Sequence, residues 1–468
     1  MEKSGLAFVV VLVLISLNSC RPQMIAAECG EGDRAALLDF KAAIVKDPSG
    51  ALKSWTATAK DCCKWKGVSC DSNSGRVVSV NLDADPLNQG NSVYMSGTIS
   101  ESIGNLSSLH TFILVSWKNI GGVIPSSLSR LSALTTLSLD DNRLTGSIPS
   151  DIGQLVSLQS LSLSGNLLTG PIPKSIGNIQ NLTSLNLDSN RLSGSIPSSI
   201  GNLTRLSVLT LNSNLLSGPI PDSMGDLKKL TTLHISNNFL TGKIPSSLGN
   251  MSMLAELLAS NNRFTESIPE SLGLLSANFY KLYLDQNMLR GSIPESLVKL
   301  TSLLTLNLTQ NKLTGNIPRI PISSHLETLH LGKNSLSGEI PAWLGDLPNL
   351  RSLQVSFNDF TGQIPNSFGG SSSLNYLFIS NNRLTGSIPE SLGDMPNLEY
   401  LDLSSNQLNG RIPEKMTQLK GMMQLNMSFN HLCGMIPRGK PFDAFPASAY
   451  IHNDCLCGPP LTPLCGTV

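Results

Sequence analysis

The side chains with most chemical reach are six histidines, His110, His234, His325, His330, His431 and His452, and five acidic residues in short alternating apolar segments, Asp140, Asp188, Glu256, Asp285 and Asp402. Acid–base catalysis or metal binding needs such groups within a few ångströms of one another. His234 and His330 are four 24-residue units apart, which at ~4.8 Å per stacked strand separates them by roughly 19 Å. They read as surface histidines. The acidic residues read as exposed strand positions mostly separated by one or more units, which does not give the ~5 to 9.5 Å carboxylate pair of a glycosidase. Gly434 to Lys440 has the G-x-x-x-x-G-K spacing of a phosphate loop, but Pro441 stands where Ser or Thr would bind magnesium. Neither G-x-S-x-G nor H-E-x-x-H occurs. The chain is therefore expected not to be an enzyme and to carry no metal or cofactor.

Eight of the nine cysteines fall in two clusters, Cys29, Cys62, Cys63, Cys70 and Cys433, Cys455, Cys457, Cys465; the ninth is Cys20. Neither cluster has the C-x(2 to 4)-C spacing of zinc ligands, so disulfides are expected, with three connectivities open in each cluster. An oxidising compartment fits the first 27 residues, where Lys3, an apolar run from Leu6 to Leu17, and Ala26-Ala27 read as a signal peptide. No later stretch is long enough to span a bilayer, and the expectation is a secreted protein of the extracellular space or cell wall. Lys+Arg and Asp+Glu both number 33, and only 14% of residues are charged. That balance leaves no basic footprint for nucleic acid.

What must position these side chains is a repeat. Ile-Pro recurs fourteen times from Pro125 to Pro437 in steps of 24, with one step of 25 and one of 23. Each unit reads L-x-x-L-x-L-x-x-N-x-L-x-G-x-I-P, as in Leu134, Leu137, Leu139, Asn142, Leu144, Gly146, Ile148 and Pro149, which is a leucine-rich repeat. The x-x-L-x-L segment alternates, so it predicts a short strand with leucines inward and the intervening residues exposed on one parallel sheet. The recurrent Asn predicts a ladder of buried amides that satisfies turn backbone. Glu266 replaces the recurrent Gly in one unit, which argues that positive φ is not required there.

The fold class expected is an α/β repeat solenoid, a right-handed superhelix with a parallel concave sheet. Its parts are a signal peptide at 1–27, a Cys-rich cap at 28–76, about fifteen turns at 77–430 and a second Cys-rich cap at 431–468. The caps would cover core layers that the array ends leave open. Asp33 to Ile44 has helical apolar spacing, and Trp55 and Trp65 read as packing residues over the first layer. Three irregularities stand out: a loop from about Asp83 to Val93, an insertion at Ala277 to Tyr280, and Pro318-Arg319-Ile320-Pro321 where other units have a small helical turn.

The G-x-I-P extension and DCCKWKGVSC (Asp61 to Cys70) resemble plant extracellular leucine-rich-repeat proteins. YMSGTI (Tyr94 to Ile99), SWKNIGGVIP (Ser116 to Pro125) and CLCGPPL (Cys455 to Leu461) resemble in particular the plant DNA-damage-repair/toleration repeat proteins, and the cap and repeat are similar to those of polygalacturonase-inhibiting proteins. With adjacency, the resemblance implies the pairs Cys29–Cys62, Cys63–Cys70, Cys433–Cys455 and Cys457–Cys465. It also implies a non-enzymatic binding protein of the plant cell wall or apoplast. Its partner would be a protein, peptide or polysaccharide, in defence as an inhibitor of a wall-degrading enzyme or in signalling. A structural or ice-binding solenoid is the alternative, because the early strands present small polar groups in register.

From the sixth full repeat the strand positions become large: Glu256, Leu258; Lys281, Tyr283; His330; Tyr376, Phe378; Tyr400, Asp402. Clustered exposed aromatics supply contact area at low entropic cost, so this stretch is the expected ligand face. Six N-x-[ST] sequons start at Asn105, Asn181, Asn202, Asn250, Asn307 and Asn426 and are expected glycan acceptors. A glycan on Asn307 would divide the face and favour its 376 to 402 half.

Overall fold

The computed structural model describes residues 27–84 and 94–461. The expected signal peptide up to residue 26, most of the expected loop after Asp83, and Cys465 lie outside the described residues.

Helix α1, Glu31–Ala42, starts the described chain and buries Asp33, Ala36, Leu37 and Phe40. Phe40 packs 6.0 Å from Trp55 and 6.3 Å from Phe112, and Trp55 stacks on Trp65 at 5.6 Å. These rings cover the first core layer. The buried Asp33 carboxylate accepts from Arg76 Nε and an Nη at 2.9 Å and from the Val77 amide at 2.8 Å. Disulfides join Cys29 to Cys62 and Cys63 to Cys70.

The strand Val68–Cys70 runs antiparallel to Val77–Asp83, which pairs in parallel with Thr111–Val115. From there one turn follows another in register to Gln424–Asn426, making a sheet of sixteen strands. Its inward leucines, such as Leu137, Leu161, Leu185, Leu209 and Leu233, are fully buried. On the opposite side most turns carry a short 3-10 helix, as at Ser198–Asn202. A second, lateral set of parallel pairs follows the Asn, as in Arg191–Gly194 beside Leu215–Gly218. The 23-residue turn at Pro318 to Pro321 has no 3-10 helix, and the 25-residue turn buries Phe279.

The Asn ladder forms as spacing predicts. Asn214 Nδ2 donates to Leu187 O (2.9 Å), Leu211 O (3.3 Å) and Asn212 O (3.1 Å), while its Oδ1 accepts from the Leu192 amide at 3.0 Å. Each rung thus ties its own turn to the one before. Two rungs depart from the sequence pattern. Trp117 occupies the ladder position before Asn142, and its indole N–H donates to Leu82 O at 2.6 Å. At the other end the ladder runs beyond Asn430: Asn453 donates to Met427 O and Tyr450 O and accepts from the Leu432 amide. The segment after 430 therefore contributes another rung, with Cys433 bonded to Cys455 across a parallel pair. Cys457 is also disulfide-bonded.

Two tight places set the glycines. The Gly of L-x-G-x-I-P has positive φ, as at Gly146 (74°) and Gly194 (75°). Glu266 corrects the expectation made for it, because its φ is 62°. The neighbouring turns impose the left-handed backbone whatever the side chain, since the Glu266 carbonyl still accepts from Arg290 N at 2.9 Å. A non-glycine residue there costs ~1 to 2 kcal/mol, partly offset by glycine's larger entropy loss. Glu266→Gly is expected to raise stability by about 0.5 to 1 kcal/mol, read as a higher urea midpoint, with no gain for Glu266→Ala.

Candidate binding face of the concave sheet

Two columns of outward side chains follow from the register. One runs Glu256, Lys281, Thr305, Thr328, Ser352, Tyr376, Tyr400, Gln424; the other runs Leu258, Tyr283, Asn307, His330, Gln354, Phe378, Asp402, Asn426. All nine expected ligand-face residues lie in these columns, but eight of them form two groups, and the ninth, His330, stands between the groups among polar residues.

In the first group Glu256 accepts from Tyr280 Oη, meets His234 Nε2 at 3.0 Å and has Lys281 Nζ at 3.9 Å. Burial alone would raise the Glu256 pKa, yet the hydrogen bonds from Tyr280 and His234 and the charge of Lys281 hold it below its ordinary value. Leu258 pairs in register with Tyr283, whose phenol is pushed up by burial and by the Asp285 and Glu256 charges.

The second group is aromatic. Tyr376 and Tyr400 stack with ring centroids 4.8 Å apart and planes at 19°. Tyr400 Oη lies 3.6 Å from Met423 Sδ, and Met423 is 65% exposed. Phe378 pairs in register with Asp402, whose Oδ1 accepts from Ser404 N and Oγ. Beside this group a cleft of about 540 Å³ opens between residues 422–426 and Ala444 to Ala449, with Phe445 and Pro446 in its wall. Asn426 lines the same cleft.

Three expectations need correction. Asp285 is buried, not exposed, and accepts from Ser260 Oγ at 2.5 Å; Asp140, Asp188, Glu256 and Asp402 are half-buried. Side chains on strands so closely stacked shield one another. His330 is likewise half-buried, with Nε2 2.8 Å from Ser352 Oγ, and burial lowers its pKa. His234 is held by Glu256, a pairing across adjacent turns that the 24-residue period contains but that isolated strand positions do not reveal. Cys29, Cys62 and Cys63 converge within 4.8 Å, yet their sulfurs are committed to disulfides.

The leucine-rich repeat region family matches residues 166–369, the leucine-rich repeat family matches 107–168, 348–408 and 372–432, and the leucine-rich repeat N-terminal domain matches 31–71. The chain belongs to the plant-type leucine-rich-repeat proteins. DNA damage-repair/toleration protein DRT100 of Arabidopsis thaliana is 35% identical over 147 residues, 30% of this chain and 37% of that protein. A polygalacturonase inhibitor of Vitis vinifera is 31% identical over 140 residues, 30% of this chain and 39% of that protein. Among solved structures, the plant peptide hormone receptor RGFR1 in complex with RGF2 matches with a TM-score of 0.66 and 33% identity, over 73% of this chain and 62% of that one. The matched stretches thus span under two fifths of either curated relative. Among the described residues no helix is long and apolar enough to cross a membrane.

Proposed function

We propose that the chain is a secreted, non-catalytic binding module of the plant cell wall or apoplast, and that a protein or peptide partner sits on the 376 to 426 half of its concave sheet. The stacked Tyr376–Tyr400 pair beside an open cleft carries this reading. Rigid aromatic area next to a hollow is what a binding anchor needs. The polar 256 to 285 group would fix orientation, because Glu256, Lys281 and Tyr283 present charged and hydroxyl groups held in register on adjacent strands. Likeness to a polygalacturonase inhibitor and to a hormone-bound receptor supports a recognition role.

Glycans on Asn105, Asn202 and Asn250 would leave the concave face open, since these residues end the 3-10 turns Glu101–Asn105, Ser198–Asn202 and Ser246–Asn250 on the opposite side. Asn181 is tied to Val156 O and Arg205, and Asn307 and Asn426 end concave strands.

The defence version is an inhibitor of a wall-degrading enzyme. Purified protein titrated into fungal endopolygalacturonase is expected to reduce pectin hydrolysis, and the variant Tyr376→Ser/Phe378→Ser/Tyr400→Ser to lose at least tenfold in potency, at ~1 to 2 kcal/mol per anchor. Full enzyme activity at saturating protein would sink the inhibitor version.

A further inference from the structure

On the convex side each 3-10 helix ends in an exposed side chain, and in five successive turns that side chain is polar: Arg130, Gln154, Asn178, Asn202 and Asp226. Leu274 breaks the run. It ends the helix Glu270–Leu274 and is 74% exposed. Met253 stands three residues past the end of the preceding helix, where the three turns before it carry Asn181, Arg205 and Lys229, and it is 46% exposed.

The two apolar side chains belong to one patch. Lys228, two residues past the end of Asp222–Asp226, reaches Asn250 O with its Nζ at 3.0 Å. One turn on, Ser252 takes the place of Lys228 and Leu274 that of Asn250, so Leu274 lies beside Ser252 and Met253. Single surface leucines are ordinary, but this pair flanks the sequon Asn250-Met251-Ser252, whose Asn250 is exposed at the end of its own helix. Asn250 and Leu274 hold the same position in adjacent turns, ~4.8 Å apart along the axis, which is within reach of a first sugar.

We propose that an N-glycan on Asn250 seats its first N-acetylglucosamine over Leu274 and Met253, which makes that sugar a fixed part of the convex surface. The ring's C–H face and acetyl methyl group are apolar and would take both side chains out of water. The bond forms when the Asn250 amide nitrogen displaces the pyrophosphate of a lipid-linked oligosaccharide from C1 of its first sugar and loses one proton. The inference rests on the secreted reading and on nothing in the concave face. Asn202 is the internal comparison, because its sequon ends Ser198–Asn202 in the same way while the surrounding positions hold Arg205 and Asp226. A glycan there has no apolar seat.

The test uses full-length protein secreted from cells held at high-mannose glycans. An endoglycosidase that cuts between the two core N-acetylglucosamines is applied to the native fold, and release at each site is followed by glycopeptide mass spectrometry. Asn250 is expected to be occupied and to release its glycan about fivefold or more slowly than Asn202, since only the unseated fraction is open to cleavage, with the two rates equal after denaturation. Met253→Ser/Leu274→Ser is expected to bring the native rates within about twofold, and Arg205→Met/Asp226→Leu to slow release at Asn202. Asn250 left bare while other sequons carry sugar, equal native rates at the two sites, or a difference that survives Met253→Ser/Leu274→Ser would overturn the proposal. Sugar at none of the sequons would remove the secreted reading and this inference with it. Self-association of the glycosylated protein that Leu274→Ser abolishes would place a second copy of the chain on the patch, and would overturn it too.

Discussion

Asn214→Ala is expected to destabilise the protein by about 3 to 5 kcal/mol. The side chain is 5% exposed, and its two N–H bonds are shared among three carbonyls while its oxygen takes an amide from the preceding turn. Alanine leaves those buried groups without partners at ~1 to 3 kcal/mol for each group that water does not reach. Because each turn leans only on its neighbours, the loss falls on the 187–192 and 211–214 turns and broadens the unfolding transition as well as shifting it. Asn142→Ala provides the internal comparison. Its Oδ1 has no partner, so three bonds are lost where Asn214 loses four, and the expected cost is about 1 kcal/mol smaller. Urea titration of both variants reads the difference; equal midpoints would mean that the ladder oxygen contributes nothing.

Gly201→Ala is expected to cost about 2 to 3 kcal/mol, although Gly201 sits in a 3-10 helix where alanine is ordinarily tolerated. A methyl group there would lie 2.5 Å from Ser223 O, 2.6 Å from Ser223 Cβ and 2.9 Å from Ser223 C. Backbone of the next turn cannot step aside, because Ser223 Oγ is itself bonded back to Ser198 O at 2.7 Å. The same contact recurs at Gly153, Gly177, Gly225 and Gly249 against the following turn's serine. Gly421, with nothing within 4 Å of the added methyl, is the control, and Gly421→Ala is expected within about 0.5 kcal/mol of wild type. A neutral Gly201→Ala would show that stacking distance on this side is not set by the Gly–Ser contact.

Much of this is readable from the chain because the determinants are periodic. Leucine alternation sets the inner face of every strand, and an amide every 24 residues can only stack on itself. What escapes is the reason a given residue type recurs. Gly201 and Gly146 look alike in the sequence, but one is required by approach of the next turn and the other by left-handed backbone. Glu266 misleads for the same reason, since substitution at a repeated glycine does not release the backbone that its neighbours impose. Trp117 hides a ladder rung because an indole N–H replaces an amide. Asn453 hides another because no leucine pattern precedes it.

The candidate site is legible as a list and not as a shape. The outward strand positions name Tyr376 and Tyr400, and register alone makes them neighbours. Met423 and the cleft toward Ala444 to Ala449 depend on how the segment after residue 430 stacks on the last strand as a further turn, which alternation does not encode. His234 and Tyr280 converge on Glu256 from the turns on either side, and no local motif announces them.

The most direct measurement of the concave-face reading is a quantitative capture experiment from plant cell-wall extract. Immobilised wild-type protein is compared by mass spectrometry with Tyr376→Ser/Phe378→Ser/Tyr400→Ser, whose circular dichroism and urea midpoint are first shown to be unchanged. The expected result is one or a few proteins or peptides retained by wild type and depleted at least tenfold on the variant, each then bound in purified form with the same loss. Identical sets retained at equal abundance on both would contradict a partner site on the 376 to 426 half of the concave sheet.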